Sequence, residues 1–213
     1  PEAMRESIVG IPKTVVLGLG IAAFLPFATV LFTKPHMVET GVYIIGPIFL
    51  IYVLFKAFTC TKRDRDRILV AIVLALFSIV FWACFEQAGS SMTIFADEQV
   101  NRTIFGWEIP ASALLAINPC FIVLLVIPFS ILWSKLGKIN RDPSAPFKFA
   151  LGLIQLAIGF VMLVIAAEQA KHGKAHLAWL ILAYFFHTTG ELCTSPVGLS
   201  AMTRLAPPNL TGL

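Results

Sequence analysis

Charged residues are scarce in this chain: of its 213 residues only 13% are Asp, Glu, Lys or Arg, whereas 58% are hydrophobic. A water-soluble domain carries about twice that share of charged residues. The hydrophobic residues also come in long uninterrupted blocks. These two properties exclude an ordinary soluble enzyme or binding domain and predict a polytopic membrane protein.

Cysteine is equally scarce, with four residues and no CxxC or Cys/His spacing of the kind found in metal and redox sites. We predict that all four are packing residues and that the chain has no metal site. No stretch has the short apolar region and small-residue cleavage site of a signal peptide. Because the chain opens at Pro1, we expect it to be a piece of a larger protein.

Six apolar stretches are predicted to be transmembrane helices, since a hydrocarbon core of about 30 Å needs about 20 apolar residues. The stretches are residues 15–32, 42–56, 68–95, 112–133, 149–167 and 177–202. The second is the shortest of them. The predicted fold class is therefore an all-α, polytopic transmembrane helical bundle.

The basic residues predict the orientation of these helices. Of the 16 Lys and Arg residues, 12 fall in the loops and ends that would share one side of the membrane, including residues 56–67 and 135–148. Basic loops face the cytoplasm, so the chain is expected to start and end there. This asymmetry accounts for the net charge of +4, and we therefore predict no nucleic-acid partner.

The third stretch carries a predicted polar stripe. Its members recur at spacings of four, four, three and four residues, which would place them on one face of a continuous helix. They are Trp82, Glu86, Ser90, Thr93 and Asp97. The stripe is compatible with hydrogen bonding between helices, but a carboxylate is a costly group for that purpose, so we favour the lining of an aqueous route.

The sixth stretch has a second intramembrane acid, Glu191, one turn after His187 and one turn before Ser195. An acidic residue near the bilayer midplane costs about 2.5 to 3.5 kcal/mol, so such groups normally face a cavity, a partner or an ion path. We predict that His187 is a packing residue rather than a proton carrier. Three small residues on an adjacent ridge, Gly190, Thr194 and Gly198, would let another helix come close, and Pro196 would loosen the turn around Ser195.

In the fourth stretch, Asn118 precedes Pro119. Its amide has both a donor and an acceptor, so it could orient a substrate or satisfy the backbone groups that Pro119 leaves unpaired. The sequence alone leaves both alternatives open.

These residues resemble a known family. The motifs FWACFEQ (residues 81–87), Asn118-Pro119 and above all GELCTSPVGLS (residues 190–200) are similar to those of the proton-dependent oligopeptide transporter (POT, or PTR) family of the major facilitator superfamily. The resemblance implies that residues 1–67 form two accessory helices of the bacterial type. Residues 68–213 would be part of the carboxy-terminal bundle, namely helices seven to ten of the family.

The resemblance also implies roles for individual residues. Glu191 matches the acid that holds the ammonium group of a bound di- or tripeptide, Asn118 the amide that binds the peptide near its amino end, and Ser195 lies beside the acid. Trp82 matches an aromatic wall of the pocket. Two more acids complete the set: Glu86 matches a candidate proton carrier and Asp97 an acid that closes the outer gate. Some relatives have a second acid at the position of Phe85, which leaves the division of labour among the acids open.

The function implied is proton-coupled symport of di- and tripeptides across the bacterial inner membrane by alternating access, with the proton as coupling ion and no cofactor. The partners implied are membrane lipids, the amino-terminal half with the ExxER signature, and helices eleven and twelve. No part of this chain resembles that half.

Two alternatives remain open. One is a transporter of another amine-bearing or anionic small solute in the same superfamily, and the other is a membrane assembly module that does not transport. An enzyme is not predicted, because no catalytic serine or cysteine arrangement and no metal-ligand motif accompanies the acids.

Overall fold

The computed structural model describes residues 7–8 and 11–205, and this part of the chain is almost entirely helical. The chain divides into two compact units, residues 1–60 and 61–213. A mostly helical structure is expected in a membrane, because a helix satisfies all of its backbone hydrogen bonds within one segment.

The first unit is a pair of helices preceded by a small hairpin. Strand β1 (Ser7–Ile8) pairs antiparallel with β2 (Ile11–Pro12), and α1 (Lys13–Thr33) and α2 (Pro35–Thr59) follow. Lys34 alone separates the two helices. Pro35 begins the second one, at a position where the missing proline N–H costs no hydrogen bond.

The second unit, as far as the structure describes it, consists of five helices and several short elements. The helices are α3 (Lys62–Phe85), α4 (Ser91–Gln99), α5 (Ile117–Lys138), α6 (Ala145–Ala170) and α7 (Leu177–Leu205). Two 3-10 segments, Glu86–Gly89 and Ala111–Ala116, precede α4 and α5. The strands are β3 (Val100–Asn101), β4 (Thr103–Ile104), β5 (Trp107–Glu108) and β6 (Ala175–His176).

The short strands hold the loops between the helices. Strand β3 pairs parallel with β6, whereas β4 and β5 form an antiparallel hairpin. A buried hydrophobic cluster that includes Met92, Leu114 and Leu180 packs α4, the second 3-10 segment and α7 together. At the start of α3, Thr61 caps the helix by accepting a hydrogen bond from the backbone N–H of Asp64 at 3.4 Å.

Helices α6 and α7 pack closely because small residues face each other. A Cβ atom on Gly152 would lie 2.9 Å from the carbonyl oxygen of Gly190, and one on Gly190 would lie 2.8 Å from the carbonyl oxygen of Gly152. Both distances are too short for a side chain, so glycine is needed at both positions. The predicted ridge of Gly190, Thr194 and Gly198 is thus confirmed as a contact surface, and the helix that approaches it is α6.

Each of the six predicted stretches lies on helical structure. Among the described residues, four helical stretches are long and apolar enough to cross a membrane, namely Pro35–Thr59, Lys62–Gln99, Ala111–Lys138 and Ala145–Ala170. Helix α7 is 29 residues long, but its centre carries His187, Glu191 and several threonines, which lower its hydropathy. Helix α2 is longer than its predicted span, with 25 residues.

The predicted polar stripe on one continuous helix is wrong. Helix α3 ends at Phe85, the chain forms a 3-10 turn over Glu86–Gly89, and Ser90 takes non-helical dihedral angles of φ −126° and ψ −97° before α4 begins. Gly89 and the two serines after it have weak helix propensity, which favours an interruption here. The acids on the two sides of the break therefore belong to different sites.

Candidate functional site

The main polar contact inside the second unit joins α5 to α7. Asn118 Nδ2 donates a hydrogen bond of 3.1 Å to a carboxylate oxygen of Glu191 and another of 3.0 Å to the hydroxyl oxygen of Thr188. The Thr188 hydroxyl in turn donates to the carbonyl oxygen of Tyr184 at 2.7 Å. The sequence left two roles open for Asn118, and its side chain is directed to the acid of α7.

A cavity of about 190 Å³ lies beside this contact. Its lining residues come from the end of α3, the 3-10 turn, α5 and α7, and they are Phe85, Glu86, Ala88, Gly89, Leu115, Asn118, Tyr184 and His187. Helix α3 ends at Phe85, so Glu86 begins the 3-10 turn beside the cavity. The side chain of Glu86 is exposed. We call Glu86, Asn118, His187, Thr188 and Glu191 the cavity cluster.

The two acids of the cavity cluster lack basic partners. Within the part of the chain that the structure describes, neither Glu86 nor Glu191 forms an ion pair. Glu86 is close enough to Glu191 for their charges to repel each other. An acidic group inside a membrane normally faces a cavity, a partner or an ion path, and these two acids lie at or beside one cavity.

His187 is almost completely buried, with 1% of its surface exposed. Its ring lies against Phe160 of α6 and Phe85 of α3, with centroids 5.0 and 6.3 Å away. Among the described residues, neither of its ring nitrogens makes a hydrogen bond. The prediction that His187 is packed is confirmed, but its polar atoms have no partner.

Four of the six predicted site residues do not line this cavity. They are Glu191, which contacts the lining residue Asn118, and Trp82, Ser195 and Asp97. Trp82 is 39% exposed and packs edge-on against Phe81 and Phe85, with ring centroids 5.8 and 5.3 Å away, and of these three residues Phe85 lines the cavity. Ser195 is exposed, one turn beyond Glu191 on α7. The helix continues through Pro196 to Leu205.

Asp97 belongs to a different arrangement, centred on Arg102. The Arg102 guanidinium, whose side chain is 8% exposed, pairs with Asp97 at 2.7 Å and with Glu108 at 3.1 Å. It also donates to the carbonyl oxygen of Ala96 at 3.1 Å and to that of Ile109. We call Asp97, Arg102 and Glu108 the loop cluster.

Charge patterning along the sequence indicates Arg102 only as a loop charge, and its buried position was not predicted. A signal was present, because a single arginine lies among Asp97, Glu98 and Glu108 in a short loop. Asp97 also lines a second cavity, of about 430 Å³, together with Thr93, Ile94 and Ser112. Thr93 and Asp97 thus share a surface that does not include Glu86.

Comparisons with known proteins agree with the motifs. The family model described as "POT family" matches residues 31–213. The "Uncharacterized transporter YclF" of Bacillus subtilis is 32% identical over 206 residues, which are 95% of this chain and 41% of that protein. The "Peptide transporter YePEPT" of Yersinia enterocolitica is 37% identical over 177 residues, which are 80% of this chain and 34% of that protein.

Solved structures of this family have the same fold. A crystal structure of "peptide transporter POT in complex with sulfate" superposes with a TM-score of 0.73 at 32% identity and covers 93% of this chain and 42% of that one. A "POT family transporter in complex with 5-aminolevulinic acid" superposes with a TM-score of 0.69 at 26% identity, again over 93% of this chain and 42% of that one. The chain thus spans about two fifths of the length of these transporters.

Proposed function

The chain belongs to the POT family, and we propose that it forms part of a proton-coupled symporter that carries di- and tripeptides by alternating access. It is a multi-pass membrane protein with a partial major facilitator fold. We propose the bacterial inner membrane as its location, with the chain start and end on the cytoplasmic side. In this proposal it has no enzymatic activity and no cofactor, and the proton is the coupling ion.

One observation supports this function more than any other: Glu191 accepts a hydrogen bond from Asn118 but has no basic partner among the described residues. A half-buried carboxylate in a membrane requires a cation, and the amino terminus of a peptide supplies one. In this proposal Glu191 binds the peptide ammonium group, and Asn118 fixes the carboxylate and binds the peptide near its amino end.

Glu86 is the proposed proton carrier. It faces the same cavity as Asn118 and lies within electrostatic reach of Glu191. A proton at Glu86 changes the electrostatic field at Glu191, so proton binding and peptide binding would each alter the affinity for the other. The two events would then be coupled through charge.

The remaining residues have proposed roles at the edges of the site. Ser195, exposed one turn after Glu191, would contact the peptide, and Trp82 would form an aromatic wall in the complete transporter. Asp97 would close the outer gate on a basic residue of the other half. It already pairs with Arg102, so the gate would require Asp97 to share or exchange that partner.

The complete transporter would include further partners. Alternating access needs two bundles that move about a site near the membrane midplane. The proposed partners are therefore an amino-terminal half, helices eleven and twelve, and the surrounding lipids. The chain covers 41% of the Bacillus subtilis relative and 42% of the solved transporter, which supports the presence of further segments.

The experiment is uptake of a radiolabelled dipeptide by the full-length transporter in proteoliposomes, with and without an imposed proton gradient. We expect accumulation only when the gradient is inward and acidic outside. The Glu86→Gln variant should still bind peptide, while its uptake no longer responds to the gradient. Uptake by the native protein that is independent of the proton gradient, or no uptake at all, would contradict the proposal.

A transporter of another amine-bearing solute is the second candidate, and one observation favours it. The structural neighbour in complex with 5-aminolevulinic acid holds a ligand with an ammonium group and no peptide bond. Uptake of labelled 5-aminolevulinic acid and uptake of labelled dipeptide, measured separately, distinguish the two candidates, because the second candidate predicts uptake of the former alone. The assembly-module alternative predicts uptake of neither compound.

A further inference from the structure

The hairpin of β4 and β5 exposes large apolar side chains at its tip. Phe105 is fully exposed, Trp107 is 82% exposed, and Ile104, which pairs with Trp107 across the hairpin, is 41% exposed. Exposed apolar side chains on a membrane-spanning helix are expected to face lipid, but these three lie in a connection between helices. A contiguous apolar group of this kind indicates a surface that binds a protein or a membrane. We call Ile104, Phe105 and Trp107 the hairpin tip.

The backbone of the hairpin tip is strained. The two residues between the strands, Phe105 and Gly106, have φ angles of 51° and 82°, and both central residues of a type I′ turn likewise have positive φ. Glycine adopts such angles readily and asparagine is the usual residue before it, whereas a bulky side chain is an outlier there. Phe105 is therefore unfavourable both for the turn and for exposure to water. Backbone strain of this kind clusters at functional sites.

The base of the hairpin is fixed to the end of α4. The buried Arg102 precedes β4 and pairs with Asp97 of α4 and Glu108 of β5. The backbone N–H of Ile109 donates to the carbonyl oxygen of Arg102 at 3.1 Å, which closes the base. The loop cluster thus holds the base in place, while the side chains of the hairpin tip stay exposed.

The helix after the hairpin indicates its depth in the membrane. The helical stretch Ala111–Lys138 has 28 residues. At about 1.5 Å per residue it is about 42 Å long, close to the thickness of about 40 to 45 Å of a bilayer with its headgroups. With Lys138 at one surface of the bilayer, the hairpin lies at the level of the headgroups on the opposite surface.

The neighbouring chain indicates the same level. Strand β3, which leads into the hairpin, pairs with β6, and β6 follows the end of α6, where Lys171 and Glu168 form an exposed ion pair. Just after β6, the indole N–H of Trp179 donates to the side-chain oxygen of Gln169 at 3.1 Å. Tryptophan is enriched where a membrane meets water, because its ring is apolar and its N–H is polar. Trp107 and Trp179 therefore mark one interface.

We propose that the hairpin tip is a membrane anchor, which inserts into the boundary between headgroups and acyl chains of the leaflet at that end of the bundle. The tip carries no charge, so it binds this boundary through its apolar surface rather than through the charge of a headgroup. Insertion would cover the three exposed side chains and would explain why Phe105 is placed in a strained turn. The inference goes beyond the proposed function and holds whichever solute is transported.

The test measures the depth of the hairpin in the membrane. The full-length transporter is reconstituted into phosphatidylcholine vesicles whose acyl chains are brominated either near the headgroup or near the chain end, because bromine quenches the fluorescence of nearby tryptophan. The signal of Trp107 is the difference between the native protein and Trp107→Phe. In the Trp107→Phe background, Phe105→Trp places the probe at the tip and Thr103→Trp places it at the base of the hairpin.

We expect the probes at positions 105 and 107 to be quenched about twofold or more strongly by bromine near the headgroup than by bromine near the chain end, because interfacial groups lie only about 5 to 10 Å deep. Position 103 is two residues, about 7 Å, from position 105 along the strand. A probe there should be quenched less by brominated lipid than the tip, and more by iodide in the water.

Three results would overturn the proposal. Quenching of Trp107 by iodide but not by brominated lipid would place the tip in water. If neither quencher reached Trp107, the tip would be covered by protein, such as the other half of the transporter. Stronger quenching by lipid at position 103 than at position 105 would show that the hairpin points away from the bilayer. None of these readings involves the solute, so a failure of the proposed function would leave this test unaffected.

Discussion

The cavity cluster and the loop cluster lie in the same unit, and each contains two acids. In the loop cluster the acids share Arg102, which is buried and also bonded to backbone carbonyls. In the cavity cluster, Glu86 and Glu191 have an amide and a threonine nearby, but no Lys or Arg of the described chain forms an ion pair with either acid. Within residues 11–205, the acids of one cluster share a cation and those of the other do not.

The difference indicates that the loop cluster stabilises the structure, whereas the cavity cluster is a candidate binding site. A cation that is buried and fully bonded has no capacity for a ligand, so Arg102 is suited to hold the loop between α4 and α5 in place. Two acids that repel each other beside a cavity have free capacity for a cation. The number of acids in a cluster therefore does not indicate its function. The presence or absence of a cationic partner for those acids does.

The largest expected effect comes from removing the uncompensated charge. In the full-length transporter, Glu191→Gln keeps the shape of the side chain but leaves the peptide ammonium group without its counter-charge. By analogy with other buried ion pairs this costs about 3 to 5 kcal/mol, a loss of peptide affinity of several hundred-fold or more. Titration calorimetry with a dipeptide measures it.

The control for this prediction is the ligand. An N-acetylated dipeptide has no ammonium group, so it should bind the native protein weakly and lose much less on the same substitution. Equal losses for the free and the acetylated dipeptide would show that Glu191 does not bind the amino terminus, and the contrast between the two clusters would then have no functional meaning.

Removal of the compensated charge should affect stability instead. Arg102→Gln removes the buried cation and its bonds to the carbonyls of Ala96 and Ile109. We expect a loss of about 3 kcal/mol, at the low end for a broken buried pair, because both acids are largely exposed and water can solvate them. Peptide affinity should not change.

The measurement is thermal unfolding of the full-length transporter in detergent, with Arg63→Gln as the matched control. Arg63 is an exposed arginine of α3, and its substitution should leave the unfolding temperature unchanged. If Arg102→Gln left stability intact but weakened peptide binding, the loop cluster would be part of the substrate site.

The sequence predicted the helices well, because a bilayer-length apolar run has few other solutions. It did not predict the break at Glu86–Gly89, since a glycine and two serines in an apolar run are compatible with a continuous helix as well as with an interrupted one. The break changes which residues share a surface, so the spacing rule failed for Thr93 and Asp97.

Contacts between residues far apart in the sequence could not be predicted from residue spacing either. Asn118 and Glu191 are 73 residues apart, and only the resemblance to a family placed them at one site. The ion pair of Arg102 is local, but its burial depends on how the loop folds over α4, which loop composition does not reveal. Residue roles at the site remain predictions for the same reason.

A third prediction concerns Gly159, which makes room for His187 in the cavity cluster. In Gly159→Ala the new methyl group would overlap the imidazole ring and lie 3.0 Å from the carbonyl oxygen of Ala183. We expect a destabilisation of about 1 to 3 kcal/mol and weaker peptide binding. Gly137→Ala is the control, because nothing lies within 4 Å of the added atom there.

A double variant makes this prediction stricter. Gly159→Ala together with His187→Ala removes the overlap with the ring, so the two substitutions should be less harmful together than the sum of their single effects. Additive effects in thermal unfolding would mean that the ring of His187 is not held against α6.

The smallest expected effect tests whether geometry or charge dominates the cavity cluster. Thr188 accepts a hydrogen bond from Asn118 and donates one to the carbonyl oxygen of Tyr184, and Thr188→Val removes both bonds while nearly conserving shape. A neutral hydrogen bond contributes about 1 kcal/mol, so peptide affinity should fall about fivefold. The matched control is Thr189→Val, since the hydroxyl of Thr189 bonds to the carbonyl oxygen of Phe186 and not to Asn118.

If Thr188→Val weakened binding as much as Glu191→Gln does, the orientation of Asn118 rather than the free charge would determine affinity. A fivefold loss beside a several-hundred-fold one would instead mean that the amide network positions the carboxylate, while the unpaired charge of Glu191 provides most of the binding energy.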